Sequence, residues 1–317
     1  MIAAKDGAQI FVYRWVPAAA KAAVQIVHGL AEHAGRYGRL AATLNAAGYA
    51  VYASDLRGHG KTAVQAEDLG LLAERGGWRK SLDDLWRVNR RIAQEKPGVP
   101  VFLLGHSMGS TLAMQFISEH GDEFAGAALS GASGKPTALA AVGRLITRAE
   151  RLRLGRRGKS RLAQSLSFDA FNKRFEPART SFDWLSRDPV EVDKYVADPL
   201  CGFPATVQLW IDLLDGWKRA ASAESYRRIP IKLPIYFISG THDPVSAGTR
   251  ALGPLVDEWR AAGLKVKHRF YPEARHEIFN ETNRDEVTRD VVEWMEEILN
   301  GEADLRAEPR VSSAEGS

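Results

Sequence analysis

One stretch constrains this chain more than any other: VFLLGHSMGSTLA, residues 101–113. A short apolar run of β type, Val101 to Leu104, breaks at Gly105-His106-Ser107-Met108-Gly109, and a helical pattern starts at once. This is the pattern of a nucleophile elbow, G-x-S-x-G between a strand and a helix. The two glycines have a physical purpose. A serine held in a sharp, strained turn needs neighbours without Cβ atoms, so that strand and helix can pass closely. The string alone is weak, because roughly one chain in ten of this length would carry it by accident. The flanking strand and helix strengthen it, and the remaining chain must then supply a base, an acid and an oxyanion hole.

The pattern around the elbow predicts an α/β chain. Residues 8–16 read as an edge strand closed by Pro17, and 22–29 as a strand buried on both faces. A helix over about 36–47 stops at Gly48, and a strand follows from Tyr49 to Ala53. Ser81 with Asp84 suggests a capping box for a helix ending near Lys96. After strand 101–104 and helix 108–120 comes strand 126–130. The alternation then fails from about 132 to 230, where there are helical patterns and aromatics but no strand. It resumes with strand 234–239, helix 247–262, strand 265–271 and helix 284–299. The expected architecture is a mostly parallel central sheet flanked by helices, with a helical cap inserted between two sheet strands. Residues 1–131 and 231–300 would form the core, 132–230 the cap and 301–317 a disordered tail.

In such a sheet, catalytic groups belong at the C-terminal ends of strands. Ser107 follows the strand at 101–104, Asp243 follows 234–239 in SGTHDPV, and His276 follows 265–271 in YPEARHEIFNE. A neutral imidazole at His276 can take the proton of Ser107, and Asp243 can fix its tautomer. The oxyanion hole should use the N–H of Met108 and that of Leu30, with Gly29 as the runner-up. His106 reads as packing or hydrogen-bonding behind the elbow, His242 as a loop histidine and His268 as a packed or surface strand side chain. Asp212 and Asp215 read as a solvated helical face.

The rest of the sequence narrows the function classes. No apolar run approaches the length of a membrane span, and the N-terminus lacks the regions of a secretory signal. The single cysteine, Cys201, precludes an internal disulfide, so cytoplasmic residence is the expectation. There is no G-x-G-x-x-G after the first strand, so no dinucleotide cofactor is expected. His28 and His33 have no further ligands clustered with them in sequence, so no metal is expected either. RGHG at 57–60 reads as a tight loop, and nucleic-acid signatures are lacking. Charge is uneven: residues 134–229 hold 18 Lys/Arg against 11 Asp/Glu, in a chain whose net charge is only +4. Within it, Leu139, Val142, Leu145, Ile146, Ala149 and Leu152 fall at helical spacing among arginines. Either this helix turns its apolar face inward as the outer cap helix, the simpler reading, or it and the Arg-rich run over 144–161 touch a lipid interface.

HGLAEHAGRY (28–37), SDLRGHGKT (54–62), LGHSMGS (104–110), SGTHDPV (239–245) and YPEARHEIFNE (271–281) together resemble the blocks of bacterial monoacylglycerol lipases and lysophospholipases. These are α/β-hydrolases of the serine aminopeptidase-like branch. RDPVEVDKYVADPL (187–200) resembles that branch's cap. The resemblance covers roughly residues 5–299. It implies Ser107, Asp243 and His276 as triad and Leu30 and Met108 as oxyanion donors, although the family often has a small residue where Leu30 stands. It also implies a helical cap shaping an acyl-chain tunnel, an acyl ester substrate, and a transient contact with a membrane or micelle surface through the cap.

Overall fold

The computed structural model describes residues 1–301. The tail expected to be disordered therefore lies, beyond Gly301, outside the described residues. Strands β1 (Ile2–Ala3) and β2 (Gln9–Ile10) form a two-stranded antiparallel ribbon. The main sheet contains β3 (Val12–Trp15), β4 (Ala22–Val27), β5 (Tyr49–Ser54), β6 (Val101–His106), β7 (Gly126–Ser130), β8 (Ile235–Gly240) and β9 (Val266–Tyr271). Its spatial order is β3-β5-β4-β6-β7-β8-β9. Only β3 runs antiparallel to its neighbour. The single edge strand read over 8–16 is thus two short strands. They break at Phe11, whose N–H is taken by Thr62 Oγ1 and whose carbonyl accepts from Asp55.

The buried strands alternate between two cores, as a side-chain period of two requires. Ala23, Val27, Leu103, Leu129 and Phe237 face one side, against α2 (Gly77–Glu95), α3 (Met108–His120) and α10 (Leu252–Ala261). Val24, Ile26, Phe102, Leu104 and Ile238 face the other, against α1 (Gly38–Ala46) and α11 (Arg284–Leu299). Both faces are apolar, which is why these strands read as near-continuous hydrophobic runs.

Between β7 and β8 the chain is helical: α4 (Ala138–Leu154), α5 (Arg161–Gln164), α6 (Ala170–Asn172), α7 (Pro189–Ala197), α8 (Val207–Ala220) and α9 (Ala223–Tyr226). The strand–helix order, the parallel sheet and this insert together are an α/β-hydrolase fold. Helix α8 packs on α2 and α3, and α4 packs on α8.

Two sequence expectations give way here. Helix α2 starts at Gly77, behind a left-handed Gly76, and not at a Ser81 cap. Ser81 sits inside the helix with its Oγ bonded back to the Gly77 carbonyl, and Asp84 turns away to hold Arg57 Nε at 2.6 Å. A buried ion pair has claimed the residue that a capping box would have used. The second concerns α4. Leu139, Leu145 and Leu152 are 74%, 66% and 89% exposed, and Val142 is exposed as well. For these four residues the inward-facing reading is overturned, while Arg144 and Arg148 of the same helix reach Asp215 on α8.

Candidate active site

The elbow is built as its glycines require. Ser107 has φ 54° and ψ −119°, a strained backbone for a residue with a side chain. Its N–H donates to the Ser130 carbonyl at 2.9 Å, and its carbonyl accepts from Ser110 Oγ at 2.7 Å. A Cβ at Gly109 would collide with the carbonyl oxygens of Val27 and His28, and one at Gly105 would lie 2.6 Å from the Gly109 carbonyl. The start of α3 therefore crosses the end of β4 at a distance only glycine permits.

Asp243 and His276 meet beside this turn. His276 Nδ1 lies 3.0 Å from Asp243 Oδ1, and both side chains are buried. The carboxylate also accepts from the Val245 N–H at 2.9 Å and from Ser239 Oγ at 3.2 Å, so its orientation is set by three donors. Burial alone would depress the basicity of His276. The Asp243 carboxylate overrides it, with help from Glu277 and Glu32, and holds the imidazole above its ordinary value. The imidazole lies 4.8 Å from the ring of His106, the residue before the half-buried Ser107, and a basic imidazole of this kind can accept a proton and then carry the charge.

The loop expected to supply an oxyanion donor follows β4. Gly29 is excluded as a free donor, because its N–H is committed to Glu32 Oε1 at 2.6 Å. Among the described residues the N–H of Leu30 takes no partner, and that of Met108 is the first of α3, where no intrahelical acceptor exists. A Cβ at Gly29 would come 3.1 Å from the Ser107 Cβ, so the loop runs directly over the serine. His28 fixes this loop: its Nε2 accepts from the Leu56 N–H at 2.9 Å, and its Nδ1 lies 2.8 Å from the Gly29 carbonyl. Burial pushes His28 down to about 3, so it stays neutral and can donate and accept at once. His59, 5.2 Å away, is pushed down to about 3 for the same reason.

A buried ionic cluster joins the two loops, and sequence reading missed it. Arg36 Nη1 bonds Glu32 Oε2 at 2.8 Å, and its two terminal nitrogens bond Glu277 at 2.6 and 2.7 Å. Tyr37 Oη donates to Glu32 at 3.0 Å. Burial works against the charge on Arg36, but the two carboxylates, Glu277 foremost, hold it firmly protonated. Glu32 holds the loop after β4 through the Gly29 N–H and Glu277 adjoins His276, so one guanidinium ties that loop to the histidine loop. The signal was present in HGLAEHAGRY, but 241 residues separate Arg36 from Glu277.

Other candidates fall as follows. His106 is buried and hydrogen-bonded, as expected: its Nδ1 is 3.1 Å from Ser130 Oγ, and its ring lies 4.8 Å from that of His276. Burial, then the neighbouring His276, pushes it down to about 4. His242 is an exposed loop residue, and His268 Nδ1 lies 2.9 Å from Arg260. Asp212 is no solvated residue. It is half-buried, its buried Oδ2 lacks a partner, and burial pushes it up to about 6. His33, Asp198 and Cys201 draw together, but both nitrogens of His33 are engaged, with the Gly35 N–H and Asp198, and burial pushes the Cys201 thiol up. This donor set suits a hydrogen-bonded brace better than a thiolate ligand site.

A family model described as "Serine aminopeptidase, S33" matches residues 18–283. The chain belongs to that family. Among its relatives, a monoacylglycerol lipase of Mycolicibacterium smegmatis is 30% identical over 302 residues, covering 91% of this chain and 93% of the relative. The monoglyceride lipase of Homo sapiens is 30% identical over 289 residues, covering 88% and 86%. Among solved structures, a thermostable carboxyl esterase from Bacillus coagulans, in complex with glycerol, superposes with a TM-score of 0.87 at 27% identity, covering 94% of this chain and 97% of that one. The chain is thus an esterase or lipase type of S33 α/β-hydrolase. Among the described residues no helix is long and apolar enough to cross a membrane.

Proposed function

We propose that this chain is a serine carboxylic-ester hydrolase that cleaves monoacylglycerols or similar medium-to-long acyl esters through an acyl-enzyme. The observation that carries the reading is the His276–Asp243 pair at 3.0 Å beside a strained elbow serine. His276 takes the Ser107 proton as Oγ attacks the ester carbonyl, and Asp243 stabilises the imidazolium. The carbonyl oxygen, now an oxyanion, is received by the N–H groups of Leu30 and Met108. A single such donor is worth about 10²–10³ in rate. The imidazolium then protonates the departing alcohol. Water, activated by the same imidazole, releases the acid and restores Ser107. No metal or organic cofactor is needed for any step.

Lipases among the relatives support an acyl glycerol substrate. The exposed leucines of α4, with arginines on the same helix, support a transient contact of the insert with a membrane or micelle surface. In this reading residues 132–230 are a cap domain on the 1–131 and 231–300 core. A second reading, lysophospholipids, draws on the arginines over 144–161, which could meet a phosphate. It requires activity on lysophosphatidylcholine to fall with salt more steeply than activity on monoglyceride.

The direct test is Ser107→Ala against p-nitrophenyl esters of increasing chain length and monoolein. Hydrolysis should disappear while the circular dichroism spectrum stays unchanged. Retained turnover sinks the proposal.

A further inference from the structure

The insert does more than cover the site: one of its side chains touches the base. The Trp184 ring centroid lies 5.0 Å from that of His276, with the planes 32° apart. The contact is fixed on both sides. The Trp184 N–H donates to Asn172 Oδ1 at 3.0 Å, and the Glu277 N–H donates to the Leu185 carbonyl at 2.7 Å, locking the two segments side by side. Arg275 reaches from the histidine loop to the carbonyls of Asp183 and Ser186. Phe168 and Phe171, at 5.4 and 5.2 Å, wedge the indole from behind.

Trp184 is buried, yet its indole Nε1 has no hydrogen-bond partner. A buried donor left unsatisfied is costly, and Phe or Leu would fill apolar space without it. What Trp offers in return is the most electron-rich π face among side chains. We propose that Trp184 is a positioning residue for His276, its indole lying against the imidazole and stabilising the imidazolium that forms when the Ser107 proton is transferred. This rests on the hydrolase reading above. The other groups facing the imidazole are Asp243 from the loop after β8, the neutral His106 ring from β6, the adjoining Glu277, and Glu32 from the loop after β4 with Arg36 between the two glutamates. None of these belongs to the insert, so Trp184 is its contribution to the charge balance of the base.

The test compares Trp184→Leu and Trp184→Phe with the wild type. Leu keeps the site apolar but removes the π face. Its kcat on p-nitrophenyl butyrate should fall roughly 3–20-fold and the acidic limb of kcat/KM should move down by about 0.5–1 pH unit. Phe should recover part of both. A fall in kcat with the limb unmoved means a structural role only, and a limb that moves up means that water has entered; either overturns the proposal. A second readout is independent of turnover. Protonated imidazole quenches indole emission, so the wild type should show a fluorescence step with pH that is missing from Trp184→Phe and from His276→Asn. Identical titrations of wild type and Trp184→Phe overturn the contact even if Trp184→Leu fails to fold. Failure of the ester-hydrolase reading would appear instead as an active Ser107→Ala, with the fluorescence step intact.

Discussion

The helical insert has two halves that treat the core differently. Residues 182–202 are stitched to it: Ser186 Oγ to the Asn280 carbonyl, Arg187 to Glu281, Asp188 to Arg284, Glu191 to Arg39, and Tyr195 Oη to the Ala31 carbonyl at 2.8 Å. Every one of these bonds lands on the histidine loop, the loop after β4 or the elements beside them. Helix α4 and the arginines after it reach mostly other insert residues and the surface carboxylates of Asp68 and Glu74. Their leucines face outward. The difference teaches that an insert read as one cap contains a part built into the loops around Ser107 and His276 and a part whose leucines are exposed.

The comparison can be broken at its foundation. The stitched half rests on Arg36, whose guanidinium lies 4.8 Å from the Tyr195 ring centre while it binds Glu32 and Glu277. Arg36→Met leaves two buried carboxylates without their cation and should cost about 3–5 kcal/mol in urea unfolding. Arg36→Met with Glu277→Gln should regain part of that. If Arg36→Met unfolds like the wild type, the cluster is not the platform described.

A smaller effect sits at Asp212 on α8, the helix between α4 and the core helices α2 and α3. Its folded-state pKa is raised from 3.8 to about 6 by burial, so ionising it costs stability as pH rises from about 4 through 6. Asp212→Asn should match the wild type near pH 4 and exceed it by ~1–3 kcal/mol at pH 7.5. Equal stability at both values would show that Asp212 is solvated after all.

The least effect on the fold, and the sharpest separation of the halves, is expected for Leu145→Glu with Leu152→Glu. Both side chains are already exposed, so melting should shift by no more than a few tenths of a kcal/mol. Hydrolysis of p-nitrophenyl butyrate should stay within about twofold, while sedimentation with anionic phospholipid vesicles should be lost. Unchanged vesicle binding would remove α4 from the contact.

The sheet was legible because buried parallel strands leave continuous apolar runs, and Ser107, Asp243 and His276 each follow one. The arginine cluster was illegible for the opposite reason: charged residues read singly as solvated, and only the fold brings position 36 to position 277. Periodicity marked the apolar stripe of α4 but not its direction, since a stripe looks the same facing a core or facing out. Asp212 failed similarly, because a helix already exposed on one side hides which carboxylate the neighbouring α2 will cover.

Leu30 carries a consequence for how such a catalyst can diversify. In the proposed mechanism its contribution is a main-chain N–H, and the loop presenting it is held by His28 and Glu32, not by the leucine. The side chain at this position is half-buried against the core, so its size can change only within the room that packing leaves, while the donor stays in place. Mutation there could retune which esters fit without rebuilding the chemistry, so this position offers selection a change of diet at little risk to the engine.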